Sequence, residues 1–228
     1  MTRTPNPTPR WRAQSSSWEF DGDHTRVVFL GRGRHPSRQE AFNGFNDDPR
    51  RQLAWPHQVH SATILEADSA GLCGQADALT TGRRDLALSV VTADCLPIVI
   101  AGPQRLTSIH AGWRGLAAGI IPAALADLGE SSETLRAWIG PAIGACCYQV
   151  GEDVAERVAA VSSSTVRIPA SPRPHLDLIA AAEIQLSQNG IQQIEAVRVC
   201  TRCHPQWLWS YRRDGESAGR NWTFAWRK

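Results

Sequence analysis

The chain has 228 residues, of which 42% are apolar and 20% charged, with a formal net charge of +2. That composition suits one folded domain with a substantial core, and near-neutral charge gives no reason to expect a nucleic-acid or membrane-surface role. No apolar run approaches the ~20 residues that span a bilayer, and six cysteines in a chain of this length do not make a disulfide scaffold.

Residues 1–16 are rich in Pro, Thr, Ser and Arg without an apolar period, so they are expected to be a flexible tail ahead of a catalytic domain spanning 17–228. They lack the apolar stretch of a secretory signal, and a cytoplasmic protein with reduced thiols is the expectation. RVVFLG (26–31) reads as a strand, residues 32–56 as loop, and SATILEA (61–67) as a strand. Three strand candidates follow: the apolar runs 86–94 and 96–102, and 106–112. The near-continuous apolar character of the first predicts a strand covered on both faces. A helix is expected from Trp113 to Leu128, stopped by Gly129. Then come a strand (134–140), helices at 151–161 and 175–188, and a strand (194–200). Residues 207–226 read as a terminal hairpin, with Trp207, Trp209, Trp222 and Trp226 expected in one aromatic cluster. Strands and helices alternate as in a mixed α/β or α+β domain.

Three segments carry chemistry: His60 in WPHQVH, Cys95 in VVTADCLPIVI and His110 in SIHAGWRGL. Two imidazoles and a thiolate suit a borderline-soft cation such as zinc, and three protein ligands leave a fourth position for a reacting group. Each residue alone is as readily structural; together they fall where strands end and loops begin. In HAGWRG (110–115), Gly112 permits close backbone approach, the following helix start offers free N–H groups, and Arg114 adds a guanidinium. This is a candidate anion cradle. Asp94 either orients a ligand histidine, acts as an acid or base, or holds a turn. Arg212, in the basic turn SYRRDGESAGR (210–220), is a candidate for an anionic substrate.

CTRCH (200–204) has the spacing of c-type haem attachment, but Met1 is the only methionine and no export signal is present. A Cys200/Cys203 dithiol is the alternative reading. Cys146 and Cys147 read as structural, with Cys147 within possible reach of the metal site.

The order of HQVH, ADALTT, LALSVVTADCLPI, IHAGWRGLAAGI, WIGPAIGACCYQVGEDV, HLDL and SYRRDGESAGR resembles the YfiH-like laccase-domain family, over about residues 26–224. The resemblance implies a single-domain α+β fold, layered α/β/β with mixed sheets. It also implies a zinc held by His60, Cys95 and His110, with copper possible in vitro. The implied activities are phosphorolysis of adenosine, inosine, guanosine and methylthioadenosine, and deamination of adenosine. Asp94, Cys95 and Arg114 are then the candidate catalytic residues. Arg32, Asn46, Gly112, Arg114 and Arg212 are the candidate substrate contacts. The implied partners are purine nucleosides and phosphate, without nucleic acid or membrane, in a monomer or small homo-oligomer. The family's Arg-Gly-Gly-Val-Ser and Asn-Leu-Gly segments are replaced here by a shortened GRGRHPSRQEAFNGFNDDP. Arg32 is its nearest arginine, and Asn43 or Asn46 its nearest asparagine. The competing readings are a metal-free Cys95/His110 hydrolase or amidase acting on peptidoglycan precursors, a copper-dependent polyphenol oxidase, and a non-catalytic partner protein.

Overall fold

A computed structural model describes residues 10–12, 16–33, 35, 37–170 and 172–228. Two mixed sheets lie face to face. The seven-stranded sheet runs from edge to edge through Arg10–Arg12, Ser17–Asp21, Thr25–Leu30, Asn221–Arg227, Leu86–Thr92, Gln52–His57 and Gly71–Gln75. The six-stranded sheet runs through Gln193–Ala196, Arg136–Ile139, Leu96–Ala101, Leu106–Ala111, Ala78–Thr81 and Ile64–Glu66. Antiparallel pairs dominate, with parallel pairs near the sheet edges.

Side-chain alternation along the strands builds the layers. In Leu96–Ala101, Leu96, Ile98 and Ile100 face the helical layer, whereas Val99 and Ala101 face the other sheet. In Thr25–Leu30, Val27 and Phe29 point between the sheets, and Val28 and Leu30 point to the outer face. Helices Trp113–Ala117, Ile120–Leu128, Glu152–Ala160 and Leu178–Gln188 cover the six-stranded sheet. Arg38–Asn43 covers the seven-stranded one through Phe42, whose ring meets Trp226 edge-on at 5.8 Å. The strands Leu86–Thr92, Leu96–Ala101 and Leu106–Ala111 are therefore buried on both sides; the first two are mostly apolar, whereas the third buries Thr107, Ser108 and His110 as well.

The structure departs from the sequence expectations in several places. Within the expected tail, Arg10–Arg12 pairs with Ser17–Asp21; residues 1–9 and 13–15 lie outside the described residues. The expected loop 32–56 contains the helix Arg38–Asn43, capped by the Ser37 side chain, and the strand Gln52–His57. Strand 61–67 shortens to Ile64–Glu66, strand 194–200 to Gln193–Ala196, and the strands Gly71–Gln75 and Ala78–Thr81 were not anticipated. The helix expected at 113–128 is two helices, because Gly119 adopts φ +80° and caps the second. Helix 175–188 begins only at Leu178, with Asp177 as its N-cap.

The terminal hairpin does not form. Asn221–Arg227 inserts between Thr25–Leu30 and Leu86–Thr92, while Tyr211–Asp214 is a helical turn. The four tryptophans consequently separate: Trp222 and Trp226 pack on the outer sheet face, Trp207 stacks on His204, and Trp209 lies under Arg32. Among the described residues, no helix is long and apolar enough to cross a membrane.

A candidate metal centre at the sheet crossing

Leu86–Thr92 belongs to one sheet and Leu96–Ala101 to the other. Residues 93–95 are the corner where the chain changes sheet. Asp94 turns that corner with φ +97°, a backbone region costly for most residues and best tolerated by Asp and Asn after Gly. Its carboxylate is consumed locally, Oδ1 accepting from the Thr201 hydroxyl at 2.5 Å and Oδ2 from the Arg212 amide at 2.6 Å. Its carbonyl accepts from the Ile143 amide. Asp94 thus ties the corner to three distant segments.

Cys95 follows at once. His110 occupies the next strand, opposite Pro97, and His60 comes from the loop after Gln52–His57. The ligand atoms of His60, Cys95 and His110 all lie within 4.8 Å of one another. The two imidazoles are nearly perpendicular, with ring centroids 4.8 Å apart.

Asp77 orders this trio. It is fully buried, and its carboxylate accepts from His110 Nδ1 at 2.8 Å, from the amides of Val59, His60 and Ser61, and from the Ser61 hydroxyl. With the Nδ1 proton committed to Asp77, Nε2 is the nitrogen that can face a metal once its own proton is displaced. The same carboxylate holds His60 at φ +61°, a conformation the loop would not otherwise keep. The Gln58 side chain adds a second anchor, exchanging two hydrogen bonds of 2.8 Å with the backbone of Val91.

The electrostatics follow from this packing. Burial would raise the Asp77 carboxyl, but hydrogen bonds from His110 and Ser61 outweigh it and hold the group at about 2. Burial also opposes ionisation of Cys95, yet the hydrogen bonds and charge of His110 and His60 bring the thiol below its ordinary value. For His110, burial is overcome by Asp77 and Cys95, which raise it. Gly112 leaves the trio room: a Cβ there would sit 3.1 Å from Cys95 Sγ, close enough to push on it, and 3.4 Å from His60 Cδ2.

The trio opens into a cleft of about 820 Å³. Trp55 and Tyr148 supply aromatic faces, and Arg38, Arg114, Arg212 and Arg220 supply positive charge. Arg38 lies 5.0 Å from the Trp55 ring, and its Nη1 is buried without a hydrogen-bond partner among the described residues. Burial lowers its pKa to about 10, which leaves it cationic at neutral pH.

Of the residues read from sequence, Asp94, Cys95, His60, His110, Arg114 and Arg212 line the cleft. Gly112 backs onto Cys95. Arg32 and Asn46 do not belong to its walls. Arg32 donates to the Pro205 carbonyl and lies 3.8 Å over Trp209, while Asn46 bridges Asp48 and Arg51. The carboxylate that orients His110 is Asp77 rather than Asp94, and sequence reading passed over it although it stands in the quoted ADALTT segment. Arg38, Trp55 and Tyr148 were also missed, because nothing local marks them. Cys147 sits beside Cys203 rather than with His60, Cys95 and His110.

Residues 36–228 match the family model described as multi-copper polyphenol oxidoreductase laccase. The chain belongs to this YfiH-like family. Its relatives include the purine nucleoside phosphorylase of Streptomyces coelicolor, 36% identical over 82% of this chain and 81% of that protein. Purine nucleoside phosphorylase YfiH of Escherichia coli is 33% identical over 75% of this chain and 72% of that one. YlmD from Geobacillus stearothermophilus superimposes with a TM-score of 0.84 at 24% identity, covering 96% of this chain and 98% of its own. The layered fold is thus that of the YfiH-like proteins, and the family is one of enzymes.

Proposed function

We propose that this YfiH-like protein is a zinc-dependent purine nucleoside phosphorylase that also deaminates adenosine. The observation that carries this reading is the His60–Cys95–His110 trio at the floor of a cleft walled by arginines and aromatic rings. The donor set fits zinc: two neutral imidazoles and a thiolate, with one histidine fixed in its ligating tautomer by a carboxylate. When bound, the ion would supply Lewis acidity toward an oxygen or a purine atom.

The protein's own groups do the rest. Trp55 and Tyr148 offer stacking faces for a purine. Arg38, Arg114 and Arg212 hold the attacking phosphate oxyanion in place and offset its charge. Arg114 takes this role as a side chain rather than through helix N–H groups, since Trp113–Ala117 is a single short turn. In phosphorolysis the C1′–N9 bond breaks as a phosphate oxygen bonds C1′, and the base departs with the electron pair. Asp94 acts by holding Arg212 at the cleft wall, with the buried Thr201 bracing its carboxylate, a positioning role.

Metal-loaded protein should convert adenosine and phosphate into adenine and ribose-1-phosphate, with some inosine and ammonia. Omitting phosphate should leave only the deamination products. Nucleosides left unconsumed by protein with zinc bound would overturn the reading.

One observation favours a second reading. Cys95 lies within 4.8 Å of His110, and His110 is hydrogen-bonded to Asp77, the order of groups in a thiol hydrolase. Metal-free protein that hydrolyses amides and loses this activity on alkylation would support it. A multi-copper oxidase is less well supported. Among the described residues, the only gatherings of three or more histidine, cysteine or acidic ligands are this trio and a set of four cysteines.

A further inference from the structure

A second cluster lies on different segments of the chain. Cys146 and Cys147 come from the turn after Ile143, and Cys200 and Cys203 from the turn after Val199. All four sulfurs lie within 4.8 Å of one another. Cys203 Sγ is 3.6 Å from Cys146 Sγ and 3.4 Å from Cys147 Sγ. We propose that these four thiolates bind a single zinc ion that staples the two turns together.

The distances decide between the alternatives. A disulfide places its sulfurs ~2.05 Å apart and joins only two of them. Here Cys203 has two sulfur neighbours at comparable distance, an arrangement that no single bond satisfies. Four thiolates around one zinc at ~2.3 Å define a tetrahedron with edges of ~3.8 Å, close to the separations present. A multi-iron cluster would spread the sulfurs further apart than a single ion does.

The surroundings fit a thiolate-bound cation. The Gly144 amide donates to Cys200 Sγ at 3.2 Å, and Arg202 stands between Cys200 and Cys203 in the same turn, where its charge offsets part of the excess negative charge of four thiolates. Gly144 leaves the room the cluster needs, since a Cβ there would lie 3.2 Å from Cys200 Cβ and 3.3 Å from Cys146 Sγ. Each Cys pair also sits on a fixed backbone. Ala142 pairs with Cys200 as an isolated parallel bridge, and the Thr201 amide donates to the Ala142 carbonyl.

The staple has a consequence for the cleft. One tied turn leads into Tyr148; the other contains Thr201, which holds Asp94. Zinc here would fix that wall without touching substrate. The inference does not rest on the nucleoside reading, because it concerns residues outside the His60–Cys95–His110 trio.

The test counts metal in the full chain purified without chelator. Wild type should carry two zinc ions per chain, and both Cys95→Ser and the double variant Cys146→Ser/Cys203→Ser should carry one. Cobalt loaded into Cys95→Ser should show the intense charge-transfer and ligand-field bands of a tetrathiolate site. If the double variant fails to fold, the Cys95→Ser measurement decides alone. Cys95→Ser protein that holds no metal, holds iron instead, or shows a disulfide among these four cysteines by mass spectrometry would overturn the proposal.

Discussion

Asp77 Oδ1 stands 2.8 Å from His110 Nδ1, and the same carboxylate accepts the backbone amides that shape the loop bearing His60. One buried side chain therefore orients both histidines of the trio. Asp77→Asn should lower zinc affinity ~10–100-fold, read by competition with a chelator of known strength. Free-thiol content and the far-UV spectrum should be unchanged. Unaltered zinc affinity would contradict the orienting role.

The same residue sets an acid limit. Its folded pKa is depressed to about 2, so its contribution to stability is present above the ordinary carboxyl value and is lost as pH falls from ~4 through about 2. The loss amounts to about 2 kcal/mol for such a shift. Urea midpoints of metal-free protein should fall across that window. The corresponding slope should be shallower in Asp77→Asn.

Cys95 makes a second pH prediction for metal-free protein. Burial works against its thiolate, but His110 and His60 bring its pKa down to about 7. Alkylation by iodoacetamide should stay fast down to about pH 7 and slow below it, as the reactive thiolate takes up its proton. Zinc loading should abolish the reaction at every pH. An inflection near that of an ordinary cysteine would show that the imidazoles do not stabilise the thiolate.

Gly112→Ala separates space from backbone freedom. Gly112 has φ −78°, which alanine adopts without strain, yet the added methyl would press on Cys95 Sγ and His60 Cδ2. The variant should fold with little change in melting temperature and lose the ion of the trio, keeping the one held by the four cysteines. Retention of full zinc content would show that the trio yields to accommodate the methyl group.

Arg38 and Arg32 should behave differently. Arg38 lines the cleft with a buried Nη1 that has no partner among the described residues, whereas Arg32 is engaged by Pro205 and Trp209. A charged hydrogen bond contributes ~1.5–3 kcal/mol. Arg38→Gln should therefore raise the KM for phosphate ~10–100-fold, while Arg32→Gln should lower stability and leave KM nearly unchanged. Equal effects on KM would remove Arg38 from the anion site.

Much was legible in the chain because it depends on local pattern. The runs at 86–92 and 96–101 are mostly apolar since both faces are covered, and that composition alone predicts buried strands. His60, Cys95 and His110 were visible because ligand types fall beside glycine and turn residues where strands end. The strand Gln52–His57 was hidden by its Pro and His, and the final strand was mistaken for half of a hairpin. Its partners lie far away in sequence at Thr25–Leu30 and Leu86–Thr92, and strand pairing is settled by non-local contacts.

What the sequence by itself determined is the ligand chemistry: which side chains can bind a soft cation, and which turns bring backbone close to it. Tertiary structure alone decided that Asp77, and not Asp94, orients His110; that Arg38 enters the cleft while Arg32 does not; and that Cys146 and Cys147 meet Cys200 and Cys203. The physical reason is distance along the chain. A carboxylate 33 residues from its histidine, or two cysteine pairs more than 50 residues apart, leaves no periodic trace, and only the closing of two sheets over a common core brings such groups within hydrogen-bonding reach.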